Sequence, residues 1–319
     1  MKRLFYLFVV AAVAAACSSE PHYSVTGTIN GADSGMVILQ KRISGGYSAI
    51  DSAVIENGTF KMKGSVEYPQ MVSLVIENRR RGLDFFIENS EILVSGHADS
   101  LYLGSVTGSV TQSEYEAYLA SFDELNKEAE NIYRSYREAR MAGDEELTAS
   151  LESQLEDFQD KEIGMKKEFI ANNTKSFVTP SVLYEISYYL EADELDKYLG
   201  GFDTTLNKVT TVITLKERLE RMKAVQVGQK APDFTLNDVN GLPVSLYSKI
   251  GGNTRLLLID FWASWCGPCR MDNPNVVKVW NDYNKKGFDV FGVSLDQSAE
   301  AWKKGIEDDK LTWTHVSDL

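Results

Sequence analysis

At 319 residues with 43% hydrophobic side chains, the chain can bury cores for two or three domains. Its net charge of −13 argues against nucleic acid as a partner, because the phosphates would repel it. Beyond solubility, the acidity says little.

Lys2 and Arg3 precede an apolar run from Leu4 to Ala16 that ends at Cys17. This is the make-up of a targeting segment, and thirteen apolar residues are too few to span a bilayer. Ala14-Ala15-Ala16-Cys17 resembles a bacterial lipobox, which implies that Cys17 becomes the lipidated first residue of an anchored protein. Ordinary signal-peptide cleavage is the alternative. Ser18 follows rather than Asp, so analogy with bacterial lipoproteins points to the cell envelope, on the outer membrane and facing the periplasm.

From Tyr23 to Gly108 short alternating runs follow one another, beginning with Tyr23 to Ile29 and Met36 to Leu39 and ending with Asp84 to Ile87 and Glu91 to Gly96. Turn signals such as Asn30-Gly31 and Asn57-Gly58 separate them. Seven or so strands at this spacing predict an antiparallel β-sandwich over residues 23–108. Arg79-Arg80-Arg81 reads as a solvated hairpin tip, or else as a grip for an anion or partner.

Residues 111–224 read as a helical spacer. Thr111-Gln112-Ser113-Glu114 has the form of a capping box, and Tyr115, Tyr118, Leu119, Phe122, Leu125 and Ala129 continue at helical spacing. Met141-Ala142-Gly143-Asp144 breaks this stripe and Leu147, Leu151, Leu155 and Phe158 restart it, predicting an antiparallel helix pair. Thr179-Pro180 reads as an N-cap followed by proline at the first helical position, and two more helices run from Asp193 and from Leu206. The tyrosine-rich stripe reads as core.

The chemistry is concentrated in Asp260-Phe261-Trp262-Ala263-Ser264-Trp265-Cys266-Gly267-Pro268-Cys269-Arg270. The run Leu256 to Ile259 before it reads as a central strand, and Met271 to Asn284 after it as a helix. The two cysteines therefore fall in the helix's first turn. Unpaired N–H groups and the positive end of the helix dipole there favour thiolate, lowering the pKa of an exposed Cys266 below its free value of about 8.5. Cys266 can then attack a substrate disulfide and Cys269 can resolve the mixed disulfide. Asp260 is costly in an apolar strand, which assigns it as the proton acceptor for Cys269, with solvation at a strand end as the alternative.

Other uses of the pair are weaker. Zinc needs four ligands, and the chain offers only Cys17, Cys266, Cys269, His22, His97 and His315, without a second cysteine pair. Copper delivery with His315 is a further option. A permanent structural disulfide would close too short a ring to constrain much of the unfolded chain. No phosphate loop appears, and neither metal nor cofactor is expected.

At these residues the chain resembles the thioredoxin superfamily, and within it the membrane-tethered TlpA- and ResA-like thiol-disulfide oxidoreductases. Gln229-Lys230-Ala231-Pro232-Asp233-Phe234-Thr235-Leu236 looks like that branch's opening, with Asn240-Gly241 and Pro243 to Leu246 as its hairpin. Trp265-Cys266-Gly267-Pro268-Cys269-Arg270 looks like its active-site motif, and Phe288 to Asp296 its next parallel strand. Asp272 stands where the family usually has Glu. The 23–108 region resembles the uncharacterised β-rich domain that precedes TlpA-like modules in lipoproteins of the Bacteroidetes type. The resemblance implies a thioredoxin-like α/β domain over 227–319, and a multidomain α+β protein overall. The superfamily's cis-proline loop has no counterpart here, since the last proline is Pro274, and an incomplete domain or fragment is the expectation.

The resulting expectation is an anchored extracytoplasmic disulfide reductase. Gly267-Pro268 is the dipeptide of reducing thioredoxins, at about −270 mV. Its partners would be protein disulfides and a membrane thiol donor, with the lipid anchor holding it to the membrane. A peroxidase-type thiol reductase is the alternative, although its Pro-x-x-x-Thr/Ser-x-x-Cys pattern meets Ile259. A non-catalytic lipoprotein whose β-sandwich binds a glycan or protein is the other.

Overall fold

The computed structural model describes residues 21–43 and 45–319, so Cys17 and the segment before it lie outside the described residues. The chain divides into two compact units, Met1–Arg221 and Met222–Leu319. No helix among the described residues is long and apolar enough to cross a membrane.

The first unit opens with eight strands: β1 (Tyr23–Asn30), β2 (Ser34–Ile43), β3 (Gly46–Glu56), β4 (Thr59–Gly64), β5 (Gln70–Ile76), β6 (Leu83–Ile87), β7 (Glu91–His97) and β8 (Ser105–Thr107). Their alternation buries one face, seen in β1 as Val25 and Ile29 at 0% exposure with Thr26 and Thr28 outward. The β3–β4 hairpin turns on Asn57 and Gly58, both at positive φ (50° and 77°), as a two-residue turn of this type requires.

The sheet differs from the sandwich expected. All eight strands are hydrogen-bonded into one sheet, in the order β6-β5-β2-β3-β4-β1-β7-β8, rather than into separate layers. Nor is it wholly antiparallel, since β1 runs parallel to β7. One core gathers side chains from every strand, including Leu83 and Phe85 of β6 and Val106 of β8 at the two edges, so the sheet curls around it. Alternation reports which face is buried but not which strands pair, and β8 is too short for its period to be read. Of the arginine run, Arg79 pairs with Asp99 at 3.2 Å and Arg81 stacks over the Tyr102 ring.

Six helices follow: α1 (Val110–Ala120), α2 (Asp123–Ala142), α3 (Glu145–Asn172), α4 (Thr179–Ile186), α5 (Ala192–Gly201) and α6 (Thr210–Ala224), the last of which runs past Arg221 into the second unit. The cap of α1 is Ser109, whose Oγ accepts from Gln112 N, not Thr111, whose Oγ1 donates to Glu88. Thr179 likewise does not cap α4, because its hydroxyl donates to the Asn173 carbonyl. In both cases a tertiary acceptor outcompetes the local cap. The aromatic stripe is core at its beginning, where Tyr118 packs on Phe122 and Phe169 and Tyr115 on Phe86 of β6, but Tyr133 is half exposed.

The second unit is a five-stranded sheet with helices. Its elements are β9 (Thr235–Asp238), β10 (Pro243–Ser245), β11 (Leu256–Trp262), α7 (Gly267–Tyr283), β12 (Phe288–Ser294), α8 (Ala299–Asp309) and β13 (Thr314–Ser317). The order is β10-β9-β13-β12-β11, with β11, β12 and β13 parallel and β9 antiparallel to its neighbours. The expectation of a central strand for Leu256 to Ile259 is therefore corrected. Among the described residues β11 pairs only with β12, and Leu256, Leu258 and Phe261 are exposed. A continuous apolar run states an affinity for burial, not how many neighbours supply it.

One face of this sheet carries Trp262, Val290, Trp302, Leu311 and Trp313, with Cys269 packed among them; the other carries Leu246, Phe291, Val293 and Val316. His315 of β13 is buried on the tryptophan face, its ring 5.4 Å from that of Trp262 and 5.6 Å from that of Trp313. Burial pushes its pKa from 6.5 down to about 4, against a small opposing effect of the nearby Leu311 carbonyl.

The sign of the consequence follows. Between those two values the unfolded chain binds a proton that the folded chain does not, so stability present above pH 6.5 is lost as the pH falls toward 4. A depression of that size corresponds to at most about 3 kcal/mol. All five tryptophans lie between residues 262 and 313, so tryptophan fluorescence during urea unfolding follows this unit alone. The wild type should lose stability across that window and His315→Phe should lose less; parallel pH dependences in the two proteins would refute the assignment.

Candidate functional site

The dithiol sits where strand gives way to helix. Cys266 is the N-cap of α7, with extended backbone, and its Sγ accepts from Cys269 N at 3.3 Å. The sulfurs of Cys266 and Cys269 are joined as a disulfide, with Cα atoms 5.3 Å apart. Gly267 and Pro268 open the helix and are exposed, as is Trp265. Both cysteines are half-buried, so the contrast expected between an exposed Cys266 and a buried Cys269 is not one of residue exposure. It is one of position: Cys266 caps the helix tip, whereas Cys269 packs into the tryptophan cluster.

Two side chains not singled out from the sequence hold the preceding loop. Asp296, 4% exposed, accepts from the Ser264 backbone N–H at 3.0 Å, from the Ser264 hydroxyl at 2.5 Å and from the Ser294 hydroxyl at 2.8 Å. Arg270 reaches back from α7 to donate to the Ser264 carbonyl at 3.1 Å. The same guanidinium grips both carboxylate oxygens of Asp309 at the end of α8, where Asn273 also donates. Burial opposes ionisation of Asp309, but the hydrogen bonds from Arg270 and Asn273 prevail and hold its carboxyl below the usual range. The one usable sequence signal was a carboxylate two residues past a strand end, Ser294-Leu295-Asp296.

Asp260 lies on β11 two residues before Trp262, so its side chain projects toward the face where Cys269 packs. Its Oδ2 is buried without a hydrogen-bond partner. Burial, and then the charge of Asp272 on α7, push its carboxyl above the ordinary range. Among the described residues no group of three or more His, Cys, Asp or Glu side chains is placed to hold a metal ion.

The arrangement can therefore exchange disulfides: a sulfur at a helix tip, a second sulfur bonded to it, and a carboxyl pushed above its ordinary range on the same side of the sheet.

Comparison with known proteins agrees. Residues 227–319 match the AhpC/TSA family model, and residues 23–115 match a domain of unknown function, DUF4369. Thiol-disulfide oxidoreductase ResA of Geobacillus kaustophilus (strain HTA426) is 32% identical over 95 residues, covering 30% of this chain and 53% of that protein. Thioredoxin-like protein YneN of Bacillus subtilis (strain 168) is 40% identical over 62 residues, covering 19% of this chain and 35% of the relative. The chain spans about half the length of the curated ResA relatives it matches. Among solved structures, the thioredoxin domain of a thiol-disulfide oxidoreductase from Bacteroides vulgatus is 40% identical, covering 29% of this chain and 64% of that one, with a TM-score of 0.27. The family models thus find AhpC/TSA-like sequence over residues 227–319, behind sequence like the domain of unknown function over residues 23–115.

Proposed function

We propose that the protein is an extracytoplasmic thiol-disulfide oxidoreductase working as a reductase of protein disulfides. The observation that carries this reading is the Cys266–Cys269 disulfide at the N-cap of α7. In the reduced form Cys266 attacks the substrate disulfide and one substrate sulfur leaves as thiolate. Cys269 then attacks the Cys266 sulfur, the second substrate thiolate leaves, and two electrons have passed to the substrate. Asp260 takes the proton of Cys269 in that second step. Gly267-Pro268 supports the reducing direction, with a membrane thiol donor returning the electrons. Ile259 and Ala263 stand where a peroxidatic cysteine at 266 would need proline and a hydroxyl residue, which favours dithiol exchange over peroxide reduction.

The rest of the proposal concerns placement. Lipidation of Cys17 would anchor the chain at the outer membrane, facing the periplasm. The segments 23–108 and 111–224, a β-rich domain and a helical spacer, would then separate the anchor from the 227–319 domain along the sequence. Labelling with a radioactive fatty acid, with loss of label in Cys17→Ser, tests the anchor.

Limiting iodoacetamide at neutral pH should alkylate Cys266 of the reduced protein before Cys269, because the helix N-terminus favours its thiolate. Peptide mass mapping reads the order, and equal or reversed labelling would discard the assignment.

Asp260→Asn should leave the first step nearly unchanged and slow the second by about tenfold or more. Reaction of the reduced protein with an aromatic disulfide that releases a coloured thiolate separates the steps, since each releases one equivalent. An unchanged second phase would remove Asp260 from the mechanism.

A further inference from the structure

The first unit holds a cleft that the disulfide chemistry above does not use. Three connecting segments wall it: Glu67 to Pro69 before β5, the turn at Phe177 before α4, and the short helix Thr204–Lys208 before α6. Hydrogen bonds tie these segments to one another. The Tyr68 hydroxyl accepts from Thr210 N, the first N–H of α6, at 3.2 Å and shares a second bond with the Thr210 hydroxyl at 2.8 Å. The Asp203 N–H donates to the Thr174 carbonyl at 3.0 Å, and Asp203 Oδ1 accepts from the Thr205 N–H and hydroxyl at 2.9 and 2.8 Å. The cleft is thus preformed. Its volume of about 560 Å³ falls in the range of roughly 300–1,000 Å³ usual for small-molecule sites.

Its lining combines flat apolar surface with unengaged hydrogen-bonding groups. The Tyr68 and Phe177 rings are parallel to within 4°, with centroids 6.5 Å apart, so the aromatic surface they give the cleft has one orientation. The short helix adds the Thr204 hydroxyl and the Asn207 amide. Asn207 Oδ1 accepts from Lys216 at 2.8 Å, which leaves its Nδ2 as the donor. Among the described residues no protein group engages that donor or the Thr204 hydroxyl. The charges cancel: Lys208 Nζ meets the Glu67 carboxylate at 3.2 Å, and among the described residues the cleft is lined by no third ionised side chain.

Ligand classes differ in how they meet this surface. A charged ligand would have to break the Lys208–Glu67 pair. A wholly apolar one would cover the Thr204 hydroxyl and the Asn207 amide and leave both without partners, which costs binding. A proline-rich peptide suits the aromatic surface, but its carbonyls only accept. A neutral sugar ring meets every part: its faces carry C–H bonds drawn to the negative faces of aromatic rings, and its edge hydroxyls both donate and accept.

We propose that this cleft binds a neutral carbohydrate, with one sugar ring lying against the Tyr68 and Phe177 surface and its edge hydroxyls bonded to the Thr204 hydroxyl and the Asn207 amide. Such binding is independent of the dithiol's chemistry. It gives the first unit a ligand of its own.

The test applies the full chain to an array of immobilised neutral and acidic glycans and a polyproline peptide, then titrates the best-bound neutral oligosaccharide in solution by calorimetry. Wild type should bind neutral glycans. Phe177→Ala and Thr204→Val should each weaken solution binding about tenfold, the worth of one stacked face or one hydrogen bond. Tyr133→Ala, on α2 and outside the cleft, should bind as wild type does. Binding to no neutral glycan, binding to acidic glycans only, or full binding by both cleft variants would overturn the proposal. Capture of the polyproline peptide in place of glycans, lost in the same variants, would mark a peptide groove and overturn it as well. Should Phe177→Ala not fold, Thr204→Val decides alone, since it removes one hydroxyl from an exposed side chain and keeps its shape.

Discussion

The Asp296 carboxylate is the point on which the dithiol's geometry depends. It is 4% exposed, and three donors from Ser264 and Ser294 satisfy it, with the charge of Arg270 close enough to act on it. A buried carboxylate survives on such terms only if its hydrogen bonds are complete, since each unmet donor left behind costs about 1–3 kcal/mol. The loop between β11 and α7 is thus fixed from the β12 side before the helix begins. Arg270 fixes it from the helix side through the Ser264 carbonyl and is itself oriented by Asp309. Held at both ends, Ala263 to Trp265 can deliver Cys266 only to the N-cap, where its sulfur meets the Cys269 N–H. The redox pair is therefore placed by a polar frame built from β12 and α8, elements distant from it in sequence.

That frame explains which parts of the site could be read from residue order. Cys266, Cys269, Gly267 and Pro268 announce themselves because cap, ring closure and helix start are all local events within four residues. Asp260 was legible for a similar reason: one carboxyl interrupting a run of Leu, Ile and Phe is anomalous on its own strand. Asp296, Arg270 and Asp309 were not, because their meaning comes from tertiary contacts, and His315, weighed only as a copper ligand, takes its place from register. Nothing local to Thr314-His315-Val316 says that the imidazole will lie over a glycine two elements earlier; only the pairing of β12 with β13 does.

The same distinction runs through the fold. In the first unit the alternation of β1 through β7 and the Asn57-Gly58 turn were evident in the residues, since period and turn chemistry are short-range. The parallel pairing of β1 with β7 was not, because it joins segments more than sixty residues apart. Two helix caps also moved, Thr111 yielding to Ser109 and Thr179 to the Asn173 carbonyl interaction. A hydroxyl's choice between its own helix and a neighbour is settled by packing rather than by order.

Beneath the disulfide the tryptophan face imposes a last condition on the chemistry. Trp262, Trp302 and Trp313 are buried with their indole N–H groups unpaired, so this floor is both crowded and poor in compensating polarity. In such a medium a lone charge is costly, which is why Asp260 is pushed toward its neutral acid and His315 toward its neutral base. The helix tip is the opposite environment, where the N-cap sulfur accepts from the Cys269 N–H and the helix N-terminus favours an anion. Two cysteines three residues apart thus occupy electrostatically opposed sites. On the proposed reading, the asymmetry that disulfide exchange requires would follow from where the helix begins and what the sheet presents below it.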